Sequence, residues 1–187
     1  MNQRLEQLIY LLSDFQPADD AEVQYRQRML SLAQSAADPF GRQNFQPGHF
    51  TASAFVLSPD STQLLLILHS KLGLWLQPGG HIDPEDESVF AAVQREVLEE
   101  VGIADLHWVQ GGPSLFDLDI HTIPARPGKE PAHEHFDVRV LLRAPTRDFV
   151  AGSDASDARW VETHSVTLEG SDESVMRAVR KIRSADL

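Results

Sequence analysis

Residues 79–103 read GGHIDPEDESVFAAVQREVLEEVGI. From Val89 to Val101 this stretch holds no proline or glycine, and its pattern is that of one helix. At about 100° per residue, Val89, Phe90, Val93, Val97 and Val101 share an apolar stripe, as on a helix with one face in a core. Counted from Val89, Glu96 falls at about 340°, Glu99 at about 280° and Glu100 at about 20°. The spacing i, i+3, i+4 therefore gathers three carboxylates on one patch, and Glu100 turns into the stripe itself. Alone, such a patch is unfavourable, because like charges repel and a buried carboxylate without a partner is costly. Arg95, at about 240°, lies beside Glu99 and far from Glu100, and relieves only part of the repulsion. A hard divalent cation would relieve the rest, since Mg²⁺ takes carboxylate oxygens, waters and substrate phosphates. Ala92, small and set amid the glutamates, leaves room for an ion. The plainer alternative is a solvated acidic face with ordinary Glu–Arg pairs.

The whole stretch resembles the signature of the Nudix hydrolase family: Gly, five residues, Glu, seven residues, Arg-Glu, an aliphatic, any residue, Glu-Glu, any residue, Gly, an aliphatic. Glu87, seven residues, then Arg95-Glu96-Val97-Leu98-Glu99-Glu100-Val101-Gly102-Ile103 fits without a break. The departure is at the front, where six residues and not five separate Gly80 from Glu87. Asp86 stands at the strict position and Glu87 keeps the register with Arg95, so the loop His81–Asp86 is one residue longer.

The resemblance implies an α/β protein, an α/β/α sandwich with a mixed sheet, here with an N-terminal helical extension. It also implies hydrolysis of a diphosphate linkage in a nucleoside diphosphate derivative: a nucleotide, nucleotide sugar or dinucleotide. The implied cofactor is Mg²⁺, with Mn²⁺ as a substitute. Carried over position by position, it makes Glu96, Glu99, Glu100 and a main-chain carbonyl near Gly80 the metal ligands. Glu96, Glu100 and Arg95 form the catalytic group, with Glu96 either a third ligand or the base that takes the water's proton. Arg95 would orient the glutamates by pairing with Glu87 or Glu99, and Glu87 and Gly102 support the motif. In this family the base sometimes lies downstream, where Glu130 and Glu134 are the candidates. An isomerase of isopentenyl diphosphate shares the fold but relies on a cysteine, and this chain has none. A non-catalytic Nudix module, binding a nucleotide or a partner, is the alternative, although such modules typically lose the signature glutamates.

A chain of 187 residues, 42% hydrophobic and 24% charged, fits a globular protein of ordinary size. A formal net charge of −12 argues against long nucleic acid as a partner, since backbone phosphates need basic surface. It leaves open a small nucleotide. Without cysteine there is no disulfide framework, thiolate metal site or thiol nucleophile. The start, MNQRLEQLIYLL, lacks the basic opening and long apolar run of a signal peptide, and no run is long enough to span a bilayer. A cytoplasmic protein with no membrane partner is expected.

Residues 1–45 read as a helical extension and connector, and 46–187 as the Nudix domain. Leu5, Leu8, Ile9 and Leu12 give a first helix its stripe; Asp19 with Glu22 resembles a capping box opening a second, through Val23, Met29, Leu30 and Ala33. This pair could pack on the sheet, offer a homodimer surface or cover part of the site. Strands are expected at Phe50–Leu57 and Thr62–His69, joined by a Ser58–Ser61 turn, then at Leu72–Gln77, broken by Pro78-Gly79-Gly80. Further strands are read at Leu106–Val109, Phe116–Ile123, His133–Arg143 and Arg159–Val161. A closing helix is read at Asp172–Arg183.

Strand alternation puts Asp117, Asp119 and His121 on one face, and His133, His135 and Asp137 on one face of the next strand. Pairing centred near Pro127-Gly128 would set Asp119 opposite His135 and His121 opposite His133, with Glu134 and Phe136 behind. Such a polar wall suits recognition of a phosphate or sugar, or supplies an extra metal ligand or base; a solvated face of Asp–His pairs is the alternative. His69 and Lys71 could meet a phosphate, and His81, just after the signature glycines, could line the cleft.

Overall fold

The computed structural model describes residues 3–70, 72–109, 111–152 and 155–185. The described elements are helices α1 (Gln3–Asp14), α2 (Asp20–Ser35), α3 (Val89–Val101) and α4 (Glu173–Ser184). The strands are β1 (Gly48–Leu57), β2 (Gln63–His69), β3 (Trp75–Leu76), β4 (Gly79–His81), β5 (His107–Trp108), β6 (Asp117–Ile123), β7 (His133–Arg143) and β8 (Ala155–Glu162). The chain forms two compact units. One is Met1–Ala52, Gly80–Ala92 and Ser114–Val140; the other is Ser53–Gly79, Val93–Pro113 and Leu141–Leu187. The α/β class with a mixed sheet is as expected.

In the first unit, α1 and α2 bury Leu8, Leu12 and Met29 completely. Asp19 caps α2 as expected, its Oδ1 accepting the Glu22 N–H at 2.8 Å. The buried carboxylate of Glu22 accepts from the Ala18 N–H at 2.7 Å and reaches the Leu118 N–H at 3.4 Å, so it ties α2 to β6. Val23, read as apolar-face, is exposed, and Leu32 is buried in its stead. Simple packing, one of the three expected uses of this helix pair, describes what these contacts do.

Here β1 lies between β4 and β7, and β6 adds outside β7. The sequence reading took Pro78-Gly79-Gly80 as a break, yet Gly79–His81 pairs with β1 as a short strand. The β7 edge approaches β1 so closely that a Cβ on Gly48 would lie 1.8 Å from the Glu134 carbonyl oxygen. Glycine is required there.

Strands β6 and β7 pair antiparallel, as expected, but two residues away from the expected register. Asp119 faces Asp137, His121 faces His135 and Ile123 faces His133. The hairpin end sets this register: Arg126 bridges Glu130, their side chains pair at 2.6 Å, and Gly128 takes φ 75° at the turn's centre. A slip of two keeps every side chain on its face, so the wall survives with different opposite numbers.

In the second unit, β1 and β2 form the expected hairpin, with Val56 opposite Leu65. β2 carries β3 and β8, and β5 pairs with β7. β8 is longer than the expected Arg159–Val161 because β2 offers it an edge from Gln63 to His69. Val93, Val97 and Val101 of α3 are buried, as are Val175, Ala178, Val179 and Ile182 of α4. Asp172 caps α4 by accepting the Val175 N–H at 2.8 Å.

Candidate active site

The acidic patch forms on the last two turns of α3. Glu100 is 9% exposed, as its place in the apolar stripe requires. Its Oε2 accepts the Gly79 N–H at 2.9 Å, which holds a carboxylate at the core's edge without leaving it unsolvated. The glycine pair thus contributes a main-chain N–H to the patch, through Gly79. Gly80, read as a carbonyl ligand, lies in β4.

Arg95 Nη1 donates to Glu96 Oε1 at 2.9 Å and to Glu99 Oε2 at 3.3 Å. Glu99 is one of the two partners expected for it, and Glu96 was not foreseen. The side chain of Glu96 is 13% exposed and that of Glu99 57%, so the patch grades from the helix's buried flank to open solvent. Ala92 is fully buried, so its small side chain packs in the core.

The end of α3 is held by two glycines. Gly102 takes φ 70° and its N–H reaches the Leu98 carbonyl at 2.9 Å, the left-handed cap expected of it. The segment 150–152 then crosses the last turn. Val150 N–H donates to Val101 O at 2.9 Å and Gly152 N–H to Glu100 O at 2.7 Å, satisfying carbonyls that a helix end leaves orphaned. A Cβ on Gly152 would stand 1.9 Å from the Glu99 carbonyl oxygen. Sequence reading missed this strap; a lone glycine in a loop is too weak a signal.

In the first unit, the extra residue of the signature loop is absorbed by a turn. Asp86 Oδ2 accepts the Asp83 N–H at 2.7 Å, and Asp86 N–H returns to Asp83 O at 3.1 Å. Arg4 of α1 donates to both carbonyls, Asp83 O at 2.6 Å and Asp86 O at 3.0 Å. Asp86 is buried and Glu87 follows it exposed. The N-terminal helix thus braces the lengthened loop. Ser88 Oγ accepts the Ala91 N–H at 3.0 Å and opens α3.

The wall of acids and histidines is not a solvated face. Asp117, Asp119 and Asp137 are 0%, 4% and 4% exposed, and all three converge on Arg139, 2% exposed. Its Nη1 lies 3.3 Å from Asp117, Nη2 3.2 Å from Asp119 and Nε 2.7 Å from Asp137. Thr51 Oγ1 donates to Asp137 at 3.0 Å. Like charges directly opposite on a ladder are unfavourable, and Arg139 makes the Asp119–Asp137 pair tolerable. The guanidinium is held charged by the three carboxylates against its burial. Alternation along β7 from His133 would have found it.

Next to this cluster stand His49, His81, His121, His133 and His135. His49 was also missed, because β1 begins earlier than the expected Phe50. Its ring centroid lies 4.9 Å from that of His135 and 5.2 Å from those of His81 and His133. His121 Nδ1 donates to Asp119 Oδ2, 3.0 Å away. Burial pushes His81 down to about 4 and His135 to about 2, and lowers His49 as well, so these rings are neutral at neutral pH.

The remaining candidates lie elsewhere. Glu134 is on the opposite face of β7, as expected, in an ion pair with Arg28 of α2. Glu130 is paired with Arg126 at the hairpin end. His69 Nδ1 accepts the Leu72 N–H at 3.3 Å and serves the turn after β2. Lys71 lies outside the described residues. Among the described residues, no helix is long and apolar enough to cross a membrane.

The geometry can be set beside known proteins. A Bacillus subtilis (strain 168) protein provisionally named 8-oxo-dGTP diphosphatase is 44% identical over 54 residues, 28% of this chain and 36% of its own length. The chain thus spans about a third of that relative. Among solved structures, the E. coli dihydroneopterin triphosphate pyrophosphohydrolase superposes with a TM-score of 0.52 at 17% identity, over 72% of this chain and 92% of the other. The MutT NUDIX hydrolase from Burkholderia pseudomallei gives 0.52 at 19% identity, over 71% and 98%. At these identities the two structures share the fold. The NUDIX domain model matches residues 47–180, more than half of the chain. With the signature carboxylates set on one helix patch, this chain belongs to the NUDIX family.

Proposed function

We propose that this chain is a divalent-metal-dependent hydrolase that cleaves a diphosphate linkage in a small nucleoside diphosphate derivative. The observation that carries the reading is the α3 patch, where Glu100 is anchored on the Gly79 N–H and Arg95 spans Glu96 and Glu99. Every side-chain donor there is a hard carboxylate oxygen, a set that fits Mg²⁺ or Mn²⁺. Glu96, Glu99 and Glu100 would hold the ion, which when bound offsets diphosphate charge and acidifies an attacking water.

The chain's own part is positioning. Gly79 keeps Glu100 aimed in one direction, and Arg95 fixes the two neighbouring carboxylates, so little reorganisation is left to the reaction. Glu96, on the same helix patch as Glu99 and Glu100, is either the third ligand or the base; the downstream candidates Glu134 and Glu130 pair with Arg28 and Arg126, as Glu96 pairs with Arg95. The division into an extension, 1–45, and a hydrolase domain, 46–187, is supported by a family match that begins at residue 47. The relative's name puts nucleoside triphosphates first among candidate substrates, before nucleotide sugars and dinucleotides.

Phosphate-coupled turnover across those three classes, with and without Mg²⁺ or Mn²⁺, tests the reading. Metal-dependent release of phosphate or pyrophosphate from one class is expected. A protein that binds nucleotide but turns over nothing on the panel is a binding module, and the hydrolase reading fails.

A further inference from the structure

We propose that His49, His81 and His135 form a transition-metal site, suited to Zn²⁺, with chemistry different from that of the glutamates on α3. The three residues stand on adjacent strands: His81 on β4, His49 on β1 between, and His135 on β7. One ring nitrogen from each lies within 4.8 Å of the others. All three belong to the first compact unit.

His49 is the residue that points to a ligand. It is 1% exposed, and among the described residues its Nε2 is buried without a hydrogen-bond partner. Leaving a polar atom so placed is unfavourable and calls for a physical reason. Its Nδ1 lies 3.2 Å from the Asn44 carbonyl, which can only accept, so Nδ1 carries the proton and Nε2 presents a lone pair. A backbone carbonyl that fixes the tautomer is the usual support of a metal-bound imidazole. Two further rings are held in the same way, His133 Nδ1 on Pro131 O at 2.9 Å and His121 Nδ1 on Asp119 at 3.0 Å. They pack around His135, with ring centroids at 5.3 Å and 5.4 Å.

The donor set selects the ion. Three imidazoles without a carboxylate or thiolate suit Zn²⁺, Co²⁺, Ni²⁺ or Cu²⁺, while Mg²⁺ and Ca²⁺ prefer oxygen. Zn²⁺ takes three histidines with a fourth position left open, at about 2.0–2.1 Å per bond. Tetrahedral bonds of that length place the nitrogens roughly 3.4 Å apart, so small side-chain rotations close the present spacing. An ion there would join three neighbouring strands and add its binding free energy to the folded state.

The test uses the full chain stripped with chelator and titrated with Co²⁺ as a coloured substitute for Zn²⁺, with no substrate present. The expected result is one Co²⁺ with the strong visible absorption of four-coordinate nitrogen ligation, displaced by Zn²⁺. Affinity should fall at least about 100-fold in His135→Gln and in His49→Gln but stay unchanged in Glu100→Gln. Zn²⁺ at a hundredfold excess over Kd should raise Tm by roughly 5 °C. Absorption unchanged by the histidine substitutions, or lost in Glu100→Gln, overturns the site. Should a histidine variant not fold, the unaltered chain decides. Zn²⁺ must shift the imidazole nitrogen resonances of His49, His81 and His135, and their indifference to Zn²⁺ refutes the proposal.

Discussion

Two clusters in this molecule have the same formal make-up, three carboxylates and one arginine, and opposite physical characters. Around Arg139, the acids Asp117, Asp119 and Asp137 are buried, and one guanidinium reaches all three. Around Arg95, the guanidinium reaches two glutamates from a side chain 25% exposed, while Glu100 takes a backbone N–H. The first cluster is closed on itself by a planar fork in a dry setting, where a charge-assisted bond is strong and an unpaired charge very costly. The second is open, graded toward solvent, and composed of the oxygens a hard cation prefers. A count of acidic residues does not separate the two; the partner and the burial do.

The comparison makes ranked predictions. Arg139→Met should be the most damaging, since it leaves three buried carboxylates without their counter-charge. A loss of about 3–5 kcal/mol is expected by urea unfolding, enough to unfold a marginal domain. Thr51→Val removes one hydrogen bond to the buried Asp137 and should cost about 1.5–3 kcal/mol in the same assay. Arg95→Met should cost less than about 1 kcal/mol, because its pairs are partly exposed. Its effect should fall on turnover instead, with kcat lowered at near-normal stability. If Arg95→Met destabilises as strongly as Arg139→Met, the contrast between an open and a closed cluster is wrong.

Much of the helix patch was legible because a helix repeats. The positions of Glu96, Glu99 and Glu100 follow from 3.6-residue periodicity alone, and the burial of Glu100 follows from its place in the valine stripe. The cap at Gly102 was equally readable. What could not be read were partners brought from far along the chain. The Gly79 N–H on Glu100 and the Gly152 strap depend on how loops return, and nothing local announces either. In the other cluster, the face of β6 and β7 was readable from alternation, but the register was not. The hairpin turns around Gly128, between the bridged residues Arg126 and Glu130, which sets the ladder two residues from the expected register. His49 escaped because a strand start is ambiguous by a residue or two. Arg139 escaped because a basic residue in a strand was not expected to be the centre of a buried network.

The most direct measurement compares metal-dependent turnover of the unaltered chain with that of Glu100→Gln, on whichever substrate class the panel selects, with circular dichroism as the fold control. Gln keeps an oxygen to accept the Gly79 N–H but loses the charge, so the fold should hold. The open-cluster account predicts that turnover falls at least about a thousandfold, roughly 4 kcal/mol of transition-state stabilisation, at unchanged structure. Undiminished turnover by the substituted chain would contradict it and place the chemistry on other residues.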